Sequence, residues 1–281
     1  MHTERIVAAG GITLDVATSY EAGAPTVLFV NAIGMENRLL EGPARALRAA
    51  GLNLVTWELR GSPGPSRSPR VTLSEHAADG LAVAAALGTG PLHVAGWCTG
   101  ASIGLFLTRA LGGRALSFTA VDGAFLFDGV PGARLGNAVF DMCTQIAADE
   151  DRAGVYLDIV RPRGNEAQVM GIEDEDLVGM VTYPYSRGTE ELIRYAHGIR
   201  AANDYDPAAA CAALPVPALF LAREDDQMVG YRNSRRAGAL VARSELSVRE
   251  TGGHYALFTD PAQAAGELAA FAHRVGSPGR V

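Results

Sequence analysis

A cysteine set between two glycines is the first feature of this chain that could do chemistry. Gly96-Trp97-Cys98-Thr99-Gly100 follows an apolar run, Leu92-His93-Val94-Ala95, and precedes an apolar helical pattern from Ala101 to Leu111. A nucleophile on such a strand-to-helix turn is held in a tight backbone conformation. The residues two before and two after it must be small, because strand and helix pass close together there. The turn also sets the thiol at a helix N-terminus, where free N–H groups and the helix dipole favour a thiolate. The backbone N–H of Thr99 would then point at a developing oxyanion.

The partners that such a thiol needs are present. His254 follows Gly252-Gly253 late in the chain and is placed to act as general base. Two carboxylates compete to orient its imidazole. Asp122 ends the strand after the nucleophile helix, and Asp226 lies in Arg223-Glu224-Asp225-Asp226-Gln227 just after a later strand. Each also has a plainer role, Asp122 in an Asp-Gly turn and Asp226 in a solvated acidic loop with Asp225 beside it. A second oxyanion donor is expected from Asn31-Ala32-Ile33-Gly34, namely the N–H of Ile33, with Asn31 bonding nearby backbone to fix the loop. The other histidines (His2, His76, His93, His197, His273) read as solvated or packed, His197 being the one that could face a pocket.

The surrounding elements give these residues a common edge. Arg5–Tyr20, with Gly10-Gly11 in its middle, reads as a hairpin. Thr26–Val30, Leu52–Trp57, Leu92–Ala95, Leu116–Val121, Pro217–Ala222 and Glu245–Arg249 read as strands. Helical patterns alternate with them over Leu39–Ala50, Thr72–Leu87, Ala101–Leu111, Asn233–Val241 and Pro261–Arg274, and a Pro/Gly/Ser loop covers Ser62–Pro69. The alternation implies an α/β fold with a mostly parallel sheet and helices on both faces. Ligands bind such sheets at the carboxyl ends of the strands, where Cys98, Asp122, Asp226 and His254 all fall. The rhythm breaks between Phe125 and Cys211, so residues 1–124 and 212–281 form the expected core and 125–211 an inserted helical lid, with helices near Leu135–Ala148 and Glu190–Ala202. Phe125-Leu126-Phe127 would either meet an apolar substrate or pack the lid down.

Bulk properties remove several alternatives. The 281 residues, 48% of them hydrophobic, suffice for one buried core with an insertion. A net charge of −7 without a Lys/Arg block argues against nucleic-acid binding. Cys98, Cys143 and Cys211 make neither a disulfide framework nor metal-ligand spacing, so no metal is expected. No phosphate-cradling glycine loop occurs, so no nucleotide cofactor is expected. The N-terminus lacks a secretory pattern and no apolar run reaches membrane-spanning length, which points to the cytoplasm.

In this order of motifs, with Glu58-Leu59-Arg60-Gly61 between the oxyanion loop and the cysteine turn, the chain resembles the α/β-hydrolase superfamily over nearly its whole length. It departs from the common pattern in having Cys98 in place of serine, Asn31-Ala32 where His-Gly is usual, and a long lid. Among the branches it resembles the thioesterase-like off-loading enzymes of polyketide and nonribosomal peptide assembly lines, which take the triad acid from the strand after the nucleophile helix. That resemblance implies Asp122 as the acid. A smaller group with a Cys-Asp-His triad, the Dieckmann cyclases, is similar in size and lid. Membership there would imply an acyl thioester substrate, possibly on a carrier protein, taken up by Cys98 and released by carbon–carbon cyclisation to a tetramate or pyridone. Rival readings with the same triad are a thioesterase, a hydrolase of the dienelactone-hydrolase kind and an acyltransferase. A non-catalytic ligand receptor, with Cys98 inert, is the rival from another class.

Overall fold

The computed structural model describes residues 1–60, 71–132, 134–160 and 172–276. The expected loop at Ser62–Pro69 lies outside the described residues. The chain opens on an antiparallel hairpin, β1 (His2–Val7) and β2 (Thr13–Ser19). Strand and helix then alternate through β3 (Thr26–Val30), α1 (Glu41–Ala49), β4 (Asn53–Trp57), α2 (Leu73–Ala86), β5 (Leu92–Trp97), α3 (Thr99–Leu111) and β6 (Ala115–Val121).

Among the described residues, helices alone fill the stretch up to the next strand. They are α4 (Arg134–Ala148), α5 (Ala153–Val160), α6 (Glu175–Val181), α7 (Tyr183–Ser186), α8 (Thr189–Ala202) and α9 (Pro207–Ala212). The alternation resumes with β7 (Ala218–Arg223), α10 (Tyr231–Leu240), β8 (Ser244–Arg249), α11 (Ala256–Thr259) and α12 (Pro261–Gly276).

The eight strands form one sheet in the order β1-β2-β4-β3-β5-β6-β7-β8. β2 runs antiparallel to β1 and β4, and every other neighbouring pair is parallel. The continuous apolar runs have a direct cause, since alternate residues point to opposite faces and both faces are covered. Leu28, Val30, Leu92 and Val94 enter a core shared with α2, α3 and α10, whereas Val27, Phe29, Ala95 and Trp97 enter a second core against α1 and α12. Each fully buried side chain of this kind contributes about 1.5–3 kcal/mol. Helix α2 starts on a capping box, in which Thr72 Oγ1 accepts from the Glu75 N–H at 3.2 Å and Glu75 accepts from the Thr72 N–H at 2.8 Å. Arg60, just after β4, clamps Asp79 of α2 through two hydrogen bonds of 2.7 and 2.6 Å.

The topology explains where a site can form. From β3 the chain passes to β4 on one side, while β5 lies on the other. The loop after β3 and the turn after β5 therefore flank a reversal of strand order, where the ends of the strands splay apart and leave a crevice. β6, β7 and β8 follow in sequence beside β5, so their carboxyl-end loops line up along the same edge.

The helical stretch between β6 and β7 is fastened to that edge at two places. At the start of α4, the N–H groups of Leu135 and Gly136 donate to the Gln227 carbonyl at 3.2 and 3.4 Å. In α8, Gly198 packs so tightly on Ile33 that an added Cβ would lie 2.7 Å from Ile33 Cγ2. Gly34 similarly faces Tyr195 of α8 and Pro184 of α7, which a Cβ would meet at 2.8 and 2.9 Å. Helix α9, by contrast, packs on α3 and α10. Phe125 is fully buried against Phe220 of β7, with ring centroids 6.1 Å apart, so it serves the main core. Among the described residues, no helix is long and apolar enough to cross a membrane.

Candidate active site

Cys98 stands between β5 and α3 with φ 53° and ψ −123°, a region that L-residues occupy at a cost of about 1–3 kcal/mol. The surroundings enforce it. A Cβ on Gly96 would run into the Gly100 carbonyl, and one on Gly100 would run into the carbonyl oxygens of Val30 and Asn31. The Cys98 N–H donates to the Val121 carbonyl at 3.1 Å, and the Cys98 carbonyl accepts from Ala101 and Ala124 at 3.1 and 3.0 Å. Because the obstacles at Gly100 are backbone atoms, Gly100→Ala is expected to destabilise the protein by about 3 kcal/mol, read as a lowered denaturant midpoint.

His254 is buried and its Nδ1 lies 2.8 Å from Asp226 Oδ2. Its ring also interacts electrostatically with the side chain of Cys98, which favours the charged imidazole. Trp97 secures the loop from below, donating from Nε1 to the His254 carbonyl at 3.1 Å with its ring 5.0 Å from the imidazole. Asp225 secures it from the side, accepting from the Gly252 and Gly253 N–H groups at 3.1 and 2.9 Å. Asp226 is itself held by the N–H groups of Met228 and Val229, which donate to Oδ1 at 2.7 and 2.9 Å.

The electrostatics follow from this geometry. Burial disfavours a charged His254, but the Asp226 carboxylate and Cys98 outweigh it, and the imidazole pKa rises well above its ordinary value. Burial likewise works against ionised Asp226, but His254 and the two loop N–H groups overcome it and hold that carboxyl below its ordinary range. Together they set a buried imidazole of raised basicity, backed by a carboxylate, beside a thiol.

The structure brings Asp226, not Asp122, to the imidazole. Asp122 is fully buried, its Oδ2 accepts from Arg223 Nη1 at 2.7 Å, and its Oδ1 has no hydrogen-bond partner among the described residues. Burial pushes its pKa up to about 7 in spite of Arg223. Asp122, the acid that the resemblance implies, is instead engaged by the buried Arg223. Asp225 is exposed, as expected, and also holds the histidine loop. His197 does not reach the cysteine, since its Nε2 pairs with Glu150 Oε1 at 2.7 Å. His93 lies 2.8 Å from Ser117 Oγ inside the sheet, and His76 is buried.

The oxyanion loop holds a second departure. Asn31 fixes the loop as expected, with Nδ2 donating to the Glu36 carbonyl at 3.0 Å and Oδ1 accepting from the Ala32 N–H at 2.9 Å. The Ile33 N–H, expected to face the site directly, donates to Thr99 Oγ1 at 2.9 Å. The backbone N–H of Thr99 opens α3 and has no acceptor within the helix, as at any helix start. Cys98 is half-buried, whereas Cys143 and Cys211 are buried and burial pushes each of their pKa values up to about 12. Iodoacetamide at neutral pH is therefore expected to modify Cys98 alone, which peptide mass mapping checks; labelling of Cys143 or Cys211 at a comparable rate would refute the burial argument.

The sheet order, the strained turn and the residues at the strand ends define an α/β-hydrolase fold. The sequence profile of the Alpha/beta hydrolase family matches residues 27–267, and the chain belongs to that family. A thermophilic esterase from Thermogutta terrifontis superposes with a TM-score of 0.73 at 14% identity, covering 99% of this chain and 100% of the esterase. The enol-lactonase from Burkholderia xenovorans LB400 gives a TM-score of 0.76 at 15% identity, covering 96% of this chain and all of the lactonase. Among curated proteins, a putative carbamate hydrolase RutD from Pseudomonas savastanoi pv. phaseolicola is 28% identical over 90 residues, a match spanning 32% of each chain.

Proposed function

We propose that this protein is a cysteine-dependent acyl-transfer hydrolase that cleaves activated acyl groups, thioesters foremost, through an acyl-Cys98 intermediate. The observation that carries the reading is the Cys98–His254–Asp226 array on a strained turn at the start of α3. His254 accepts the thiol proton, and the sulfur attacks the acyl carbonyl. The oxyanion forms beside the Thr99 N–H. Collapse expels the leaving thiolate, which takes the proton from His254. Water, deprotonated by His254, then attacks the thioester on Cys98, and the sulfur departs as thiolate to be reprotonated. Exchange of one thioester for another changes bond energy little, which suits a sulfur nucleophile to a thioester donor, free or borne on a carrier protein. The membership of the family, and the ester-type bonds named for the esterase and the lactonase, support hydrolysis as the second half-reaction.

A second reading replaces water with a carbon nucleophile of the substrate itself, giving Dieckmann release as a tetramate or pyridone. The packing of Tyr195 and Pro184 over Gly34 favours it, since a closely covered site holds water away from the acyl-enzyme. One experiment separates the two. A β-ketoacyl aminoacyl thioester surrogate is turned over, and products and intact protein are analysed by mass spectrometry. Hydrolysis gives the linear acid with a transient acyl adduct on Cys98. A cyclised product establishes the second reading, and turnover with no adduct on Cys98 removes both.

A further inference from the structure

We infer that the Thr99 hydroxyl is itself a donor of the oxyanion hole, with the Ile33 N–H acting through it. The inference rests on the acyl-Cys98 reading and refines its stabilising step. Thr99 is buried, directly follows the nucleophile and begins α3, so its backbone and side chain lie beside Cys98. Its Oγ1 accepts from the Ile33 N–H at 2.9 Å. A hydroxyl that accepts one hydrogen bond still carries a proton to donate. A donor pulling on the oxygen polarises that proton and strengthens the next bond in the chain.

The usual geometry of such a hole has two backbone N–H groups converging on the oxyanion. Here one of the two is already engaged. The Ile33 loop cannot swing freely to disengage it, because Gly198 lies against Ile33, and Tyr195 and Pro184 lie against Gly34. Asn31 ties the loop to Glu36 from the other side. A loop fixed on both sides leaves the hydroxyl as the mobile group, and rotation about one side-chain torsion aims its proton at the acyl oxygen. The hole then consists of the Thr99 N–H and the Thr99 O–H, the second backed by Ile33. The charge that develops on the acyl oxygen is shared along Oγ1 toward the Ile33 N–H, and no bond to Ile33 has to break.

The competing arrangement is a plug, in which the hydroxyl merely occupies the Ile33 N–H and must be displaced by substrate. The two predict opposite effects of removing it. The test compares wild type, Thr99→Val and Thr99→Ser in two reactions of Cys98. Acylation by the acetyl thioester of N-acetylcysteamine passes through an oxyanion, whereas alkylation by iodoacetamide does not. Loss of a hole donor is expected to slow acylation by Thr99→Val on the order of 100-fold. Alkylation should change by less than about threefold, and Thr99→Ser should recover acylation to within about tenfold of wild type. Unchanged or faster acylation in Thr99→Val overturns the inference and identifies a plug. An equal loss in both reactions also overturns it, because a general disturbance of Cys98 then accounts for the effect. If wild type is alkylated but forms no acyl adduct, the acyl-enzyme reading itself fails, and this refinement with it.

Discussion

Cys98→Ala is expected to lower kcat on a thioester by about 10⁵-fold or more, with the folded state little affected. The size follows from how nucleophile and base act as a unit, since removing either one forfeits nearly all that the pair contributes. Binding should persist, because the residues around position 98 are unchanged, so KM or the Kd of a non-hydrolysable analogue should shift by less than about threefold. Alanine occupies the same positive-φ position that cysteine does, and the melting temperature should move little because the turn is set by Gly96, Gly100 and the hydrogen bonds to Val121 and Ala124. Steady-state kinetics on the purified variant decides the matter. Turnover within about tenfold of wild type would mean that another residue attacks the substrate.

The second large effect separates the two carboxylates. Asp226→Asn is expected to cost about 10³–10⁴-fold in kcat, whereas Asp122→Asn should cost less than about tenfold. An asparagine at 226 would turn an N–H toward His254 Nδ1 and favour the wrong tautomer. An asparagine at 122 would instead leave Arg223 buried without its counter-charge, and stability should fall by about 3 kcal/mol in a denaturant titration. Activity thus separates the two carboxylates, and a large loss of kcat in Asp122→Asn with a small one in Asp226→Asn would return the role of acid to Asp122.

NMR titration of the His254 ring adds a pH signature. With Asp226 present the imidazole pKa stands well above its ordinary range, and with Asp226→Asn only Cys98 is left to oppose burial and the pKa drops. The consequence for folding has two sides. Asp226 is held below its unfolded value, so its contribution is present above about pH 4 and fades as pH falls through the folded pKa. His254 is held above its unfolded value, so its contribution is complete below about pH 6.5 and fades as pH rises through the folded pKa. The pair therefore stabilises the fold most between those limits.

Much of the architecture was legible because it rests on local periodicity. The apolar runs that became β3, β5 and β6 are buried on both faces, and the helical pattern expected from Thr72 begins α2, with Thr72 itself as the cap. Cys98 and His254 could be read from their places at strand ends. The choice between Asp122 and Asp226 could not, because it depends on Arg223, whose side chain crosses from β7 to Asp122, 101 positions earlier in the chain. An arginine ending an apolar strand gives no local sign of what it will pair with. The short helices α5, α6, α7 and α9 were missed for a different reason, since too few turns leave no periodic stripe. Thr99 was read for its backbone alone, because its side-chain partner, Ile33, is distant in sequence and supplies only an N–H.

The attachment of α4 to the Gln227 carbonyl, and of α8 to Ile33 and Gly34, bears on how this scaffold can be re-engineered. Exchanging the segment between β6 and β7 for that of another family member is an obvious way to graft a new substrate preference. Here such a chimera would also withdraw the N–H groups that steady the residue next to Asp226 and the helix that braces the Ile33 loop. The graft succeeds only if Gly198, Tyr195, Pro184 and the start of α4 travel as one cassette with their contacts on Ile33, Gly34 and Gln227, so specificity and chemistry in this chain are inherited together.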